Sequence, residues 1–222
     1  MTNLFSIFDP ATPNFLSLNW ASTALFLPFL VVSFWVMPNR YQVALSSLNF
    51  YILGEFRPIA WKSVYVLSLI VSVFIFIVFN NSLGLLPYIF TSTSHLAFTL
   101  SFALVVWVAL MMYGWLNNYS NLLVHLIPQG TPALLMPFMV LIETVSNMIR
   151  PGTLAVRLSA NMIAGHLLIV LLSSATPFTP YWGLPVLMGA QVALSGLEVA
   201  VAFIQGYVFS ALVTLYVSEF TD

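Results

Sequence analysis

"LLMPFMVLIETVSNMIRPGTLAVRLSANMIAGHLLIVLL", residues 134–172, is apolar enough to enter a bilayer yet carries Glu143, Asn147, Arg150, Arg157, Asn161 and His166. A continuous helix of this length would run roughly 50 Å, against a hydrocarbon core of about 30 Å. It must therefore tilt strongly, kink or break, and Pro151-Gly152 offers a kink. A second run of the same kind, Leu184 to Val217, holds Gln191, Glu198, Gln205 and Tyr207. Between the two, "SSATPFTPYWGLP" (173–185) reads as a turn, which makes the pair a long antiparallel hairpin.

Composition names the solvent. Of 222 residues, 61% are hydrophobic and 5% charged, where a water-soluble domain carries about a quarter charged. Lipid is the medium that such a chain requires. The formal net charge of -1 says little about partners, and without a basic patch nucleic-acid binding is not expected. The absence of cysteine removes disulfides, thiolate metal sites and a cysteine nucleophile. The histidines, His95, His125 and His166, stand far apart with no metal-ligand spacing, so neither metal nor cofactor is expected. The opening "MTNLFSIFDPATPNF" has no basic region followed by a compact apolar core, and is not Arg-rich, so it is expected to stay attached.

Upstream of the hairpin three more apolar runs approach spanning length: Trp20–Met37, Val64–Phe79, which "NNSLGLLPYIF" (80–90) can extend, and Leu96–Leu116. Between the first two lies "PNRYQVALSSLNFYILGEFRPIAWK" (38–62), with Arg40, Arg57 and Lys62. Basic residues mark the inside, so this segment is expected inside and the N-terminus outside. Within it Val43, Leu45, Leu48, Tyr51, Ile52 and Phe56 recur at helical spacing beside Gln42, Ser46, Ser47, Asn49 and Glu55, the pattern of a helix lying flat on a membrane. The expected fold is an all-α integral membrane protein: an N-terminal transmembrane helix, an amphipathic surface helix, two further transmembrane helices, then the long tilted antiparallel hairpin. It forms a single membrane domain over 1–222, with the N-terminal span and surface helix in 1–80 and the polar helices in 81–222. The C-terminus, "SEFTD", returns inside.

The polar residues of the hairpin fall into layers. In antiparallel helices, residues at equal depth have nearly constant summed numbers, which pairs His166 with Glu198 toward the outside, Arg157 with Gln205 and Asn161 near the middle, and Glu143 with Glu219 toward the inside. An ionisable group at membrane depth costs about 2.5–3.5 kcal/mol on insertion scales, so it faces a protein interior or water. Regular helix separates Glu143 from Arg157 by about 21 Å and Arg157 from His166 by about 13 Å, too far for one hydrogen-bond chain, so water must fill any path. Glu143, Arg150 and Arg157 recur at heptad spacing and share a face, whereas His166 lies half a turn away. That phase points to two half-paths in place of one open pore, with a fixed cation between them. Arginine keeps its charge where lysine can lose its own, while Glu and His can pass protons on. No carboxylate of the chain lies at the depth of Arg157, so its partner is expected from another subunit.

At these residues the chain resembles subunit a of rotary F-type ATP synthases, in particular the mitochondrially encoded form. The likeness is carried by "RLSANMIAGH" (157–166), "NSLGLLPYIFTSTSHL" (81–96), "PQGTPALLMPFMVLIE" (128–143) and "LEVAVAFIQGYVFSALVTLY" (197–216), in the family's order and spacing from about Asn80 to Tyr216. Ser195, Gly196 and Gly206 are smaller than the family's pattern leads one to expect, which bears on helix packing.

The resemblance implies a role for each position. Arg157 corresponds to the essential arginine that faces the rotating c-ring's carboxylate. Asn161 and Gln205 correspond to its polar neighbours, His166 and Glu198 to the half-channel open to the intermembrane space, and Glu143 to the matrix half-channel. It implies a proton-translocating stator subunit of the inner mitochondrial membrane, multi-pass, with N-terminus in the intermembrane space and C-terminus in the matrix. Its partners would be the c-ring, other membrane-sector and peripheral-stalk subunits, and the lipid bilayer, and it would have no ATP-hydrolysing site of its own. Two other readings remain open on the residues alone. One is an autonomous channel or transporter, against which stands the crowding of polar groups into one hairpin. The other is a structural membrane subunit of a respiratory complex, with the charges holding helices together. Arg150 is expected to pair with Glu143 or reach the inner surface, and His95 and His125 to lie at helix or loop ends.

Overall fold

The computed structural model describes residues 4–11, 18–29, 36–59, 64–117, 119–127, 132 and 135–221. Within them the chain is helical: α1 (Arg40–Phe56), α2 (Val64–Gly84), α3 (Leu96–Asn117), α4 (Tyr119–His125), α5 (Met136–Ala175) and α6 (Leu184–Thr221), with short 3-10 turns between. Among the described residues four helices, α2, α3, α5 and α6, are long and apolar enough to cross a membrane.

Each helix follows from local chemistry. α1 begins where Gln42 Oε1 accepts the backbone N–H of Asn39 at 2.9 Å, half of a capping box. Val43, Leu48, Phe50 and Tyr51 are exposed along it, while Phe56 is buried. α2 and α3 match the expected runs, α2 extending through Asn80-Asn81 to Gly84. In lipid a hydroxyl needs an internal acceptor, and Ser72, Ser82, Ser173, Ser195 and Thr214 each donate to a carbonyl of their own helix, three residues back. After α2 the chain turns through "LLPY", where Tyr88 holds φ 68, a left-handed conformation that costs a side-chain-bearing residue about 1–2 kcal/mol.

α5 runs unbroken over 40 residues with Pro151 inside it, so the length is not relieved by a break there. α6 runs over 38 residues, and the connection is the expected turn, a 3-10 segment at Thr176–Phe178 followed by a bend at Pro180–Gly183. The expected first span, Trp20–Met37, reads differently. Its described part forms 3-10 turns at Asn19–Ala24 and Leu27–Phe29. Pro28 supplies no N–H and disfavours helical backbone at Leu27, and Thr23 turns its hydroxyl onto the Trp20 carbonyl at 2.8 Å. Residues 30–35 of that run lie outside the described residues.

The chain forms two compact units. The first comprises Met1–Val32, Ile75–Thr99 and Arg157–Tyr207; the second comprises Ser33–Phe74, Leu100–Val156 and Val208–Asp222. Their interiors differ in kind. In the second, the buried residues are almost all apolar, among them Phe56, Ile70, Phe209, Val213 and Val217, and Phe102 packs on Phe209 with ring centroids 5.8 Å apart. In the first, Asn80, Asn81, Thr91, Ser92, Thr93, Ser94, Thr99, Ser159, Glu198 and Gln205 are all buried. Thr91 donates to Ser94 Oγ at 3.1 Å, and Ser94 to the Thr91 carbonyl at 2.7 Å. Asn81 is fully buried, and among the described residues neither its amide oxygen nor its nitrogen has a hydrogen-bond partner. An interior built this way does not minimise polar burial, which is otherwise costly in lipid.

Candidate functional site

In the first unit α5 supplies Arg157, Asn161 and His166, and α6 supplies Glu198 and Gln205. The two helices touch at Gly165: a Cβ built there would stand 2.8 Å from Glu198 Oε1 and 2.9 Å from its Cδ. Glycine at this position lets the glutamate side chain lie across the backbone of α5. Glu198 is buried, and neither carboxylate oxygen has a hydrogen-bond partner among the described residues. The Nε2 atom of His166 is likewise buried and unpartnered. The two residues paired by depth in the sequence are therefore close in register, with Gly165 as the residue that Glu198 touches, and no hydrogen bond joins carboxylate to imidazole.

Glu198, Gln205, Asn161 and Gly165 line one open cleft of about 290 Å³, whose apolar walls include Leu85, Met162, Leu168, Leu197, Val201 and Ile204. A single water needs only roughly 10–15 Å³ of such space, so several fit. Polar groups on apolar walls put room for water beside a buried carboxylate. Arg157 does not line this cleft. Its side chain is exposed, and among the described residues no carboxylate lies within ion-pair distance of it. A guanidinium on the outer surface of a spanning helix requires water or an anionic partner from elsewhere.

Glu143 and Arg150 belong to the second unit. Arg150 Nη2 donates to Glu143 Oε1 at 3.3 Å along α5, and the Arg150 guanidinium sits 5.0 Å from the centroid of the Tyr216 ring. The expected pairing of these two residues is thus present in the fold, and the arginine is held by a second contact of cation–π type. The side chain of Glu219, paired with Glu143 by depth, lies outside the described residues, as does that of His125. His95 precedes α3 at a loop end, held between Phe90, stacked at 5.1 Å, and Trp20 at 5.4 Å. Among the described residues no group of three His, Cys, Asp or Glu side chains could hold a metal ion.

Gly165 escaped the reading of the sequence, because a glycine inside an apolar run carries no signal of what crosses it. Asn81 and Thr93 escaped it also: their burial depends on the turn before α3, and periodicity does not report that packing.

The family model described as ATP synthase A chain matches residues 16–218. The chain is 54% identical to ATP synthase subunit a of Drosophila simulans and of Drosophila melanogaster, each over 221 residues covering 99% of both chains. It is 54% identical to ATP synthase subunit a of Anopheles gambiae over 223 residues, again 99% of each. The match takes in all four described spans together with Arg157, Gly165, Glu198 and Gln205. On this ground the chain belongs to the ATP synthase A chain family, the proton-translocating membrane subunit of the F-type ATP synthase.

Proposed function

We propose that this chain is the stator that feeds protons to and from the carboxylates of a c-ring through two offset aqueous half-paths, with Arg157 between them. One observation carries the reading: Arg157 is exposed on a membrane-spanning helix with no carboxylate partner among the described residues, while on the same unit Glu198 is buried in a cleft with Asn161 and Gln205. A permanent cation turned outward, with a titratable acid turned inward, suits a partner that arrives with a mobile carboxylate.

In this mechanism a proton enters from the intermembrane space past Glu198 and His166 and neutralises a ring carboxylate. The neutral carboxyl leaves Arg157 for lipid, since only the charged form is held by the guanidinium and only the neutral form is cheap to immerse. After nearly a full rotation it ionises into the matrix half-path and releases its proton by way of Glu143. The membrane potential contributes about 2.3 kcal/mol per charge per 100 mV to the direction of travel. Asn161 and Gln205 offer neutral hydrogen-bonding groups to water in the cleft. The chain would lie in the mitochondrial inner membrane with its N-terminus in the intermembrane space and its C-terminus in the matrix.

The reading is tested by mild solubilisation and affinity capture of the chain. Recovery with an oligomer of small two-helix hairpins bearing a mid-membrane acid supports it. Capture of a chain that conducts protons alone in liposomes would refute it.

A further inference from the structure

We propose that the 3-10 turn at Leu4–Phe8 is a fixed cover on His166, and that Phe8 is a positioning residue for that imidazole. The inference rests on the half-path reading above for its functional consequence, but not for its geometry. Phe8 meets His166 edge-on, with ring centroids 6.3 Å apart and planes at 79°. That is the separation and tilt at which the positive edge of one ring meets the negative face of another. Its neighbours Ser6 and Ile7 are exposed, whereas Phe8 is half-buried, so the aromatic residue is the one turned inward.

A free terminal turn would not hold such a position, because ordering each residue costs about 1–2 kcal/mol. Here it is tied down. Asp9 accepts the N–H of Ala11 through its carboxylate at 3.0 Å, closing the elbow that follows Phe8. Asn19 donates its side-chain amide to the Pro10 carbonyl at 3.2 Å. Trp20 then meets Phe90 edge-on at 5.7 Å and lies tilted against His95 at 5.4 Å. The strap is thereby fastened just after Asp9, and its inner contact is a ring whose Nε2 is buried with no hydrogen-bond partner among the described residues. With no hydrogen bond at that atom to set the ring, aromatic packing sets it. Phe8 and the elbow consequently govern both access to His166 and the direction in which its nitrogens point.

The test uses the assembled ATP synthase in sealed inner-membrane vesicles. Two quantities are read: modification of His166 by diethylpyrocarbonate, normalised to His125 by peptide mass spectrometry, and proton flux. Phe8→Ala should raise His166 modification several-fold and lower flux, and Phe8→Tyr, which keeps the ring, should restore both. Asn19→Ala, which loosens the strap without touching either ring, should move both in the same direction as Phe8→Ala by a smaller amount. His166 modification unchanged in Phe8→Ala and Asn19→Ala would overturn the cover. Modification raised with flux unchanged would uphold the cover and overturn instead the place of His166 on the proton path.

Discussion

The carboxylate of Glu198 lies directly over Gly165, so close that a Cβ at that glycine would come within 2.8 Å of Oε1. The contact is with the far end of a flexible side chain, so an added methyl displaces the carboxylate before it parts the helices. Gly165→Ala should therefore leave the complex assembled while cutting proton flux several-fold, read as native-gel assembly beside flux in sealed vesicles. Full flux with normal assembly would show that the carboxylate's position over α5 is incidental.

Glu198 is buried with both carboxylate oxygens unpartnered among the described residues, and the Nε2 atom of half-buried His166 is likewise buried and unpartnered; neither atom set contributes an internal hydrogen bond that scaffolding would need. Replacing them together by Gln and Asn should preserve assembly and reduce proton flux by on the order of a hundredfold, the lower end of what a positioned proton-transfer group supplies. Unchanged flux in that double variant would favour a purely structural role for the unit.

The Arg150–Glu143 pair spans 3.3 Å with both side chains partly exposed. Such pairs contribute about 0.2–1 kcal/mol. A double-mutant cycle of Arg150→Gln and Glu143→Gln on thermal stability should return a coupling in that range. Glu143→Gln alone should slow proton release on the matrix side, whereas Arg150→Gln should not. Equal loss of flux in both would mean that the pair, and not the acid, is what the path uses.

Asn81 is fully buried with an unpartnered amide. Exchanging an unsatisfied buried polar group for an apolar one of similar shape is close to neutral or stabilising. Asn81→Leu should therefore leave thermal stability within about 1 kcal/mol, a loss of the amide's solvation need offsetting the loss of its size match. A larger loss, measured on the isolated complex, would show that the amide is bonded in the assembled enzyme.

How much of this was legible in the residues follows from what each signal depends on. The long helices are, because runs of apolar side chains and the turn "SSATPFTPYWGLP" are local properties; α2, α3, α5 and α6 occupy nearly the expected ranges. The nearness of α5 and α6 at Glu198 is too, since antiparallel pairing is simple arithmetic on residue numbers. Trp20–Met37 has the apolarity of a span, and its described part forms 3-10 turns on either side of Leu25–Phe26, with Pro28 unable to supply an N–H. Phe8 on His166, and Glu198 over Gly165, join residues far apart in the chain through the position of single side chains. No periodicity encodes such contacts.

Coupling by this chain turns on the outward-facing charge of Arg157, and the direct measurement is proton-driven ATP synthesis in an Arg157→Lys variant of the assembled enzyme. Lysine keeps a cation but loses the planar, permanently protonated fork. Assembly should be preserved and coupled synthesis abolished. Synthesis at near the unmodified rate would contradict the central claim.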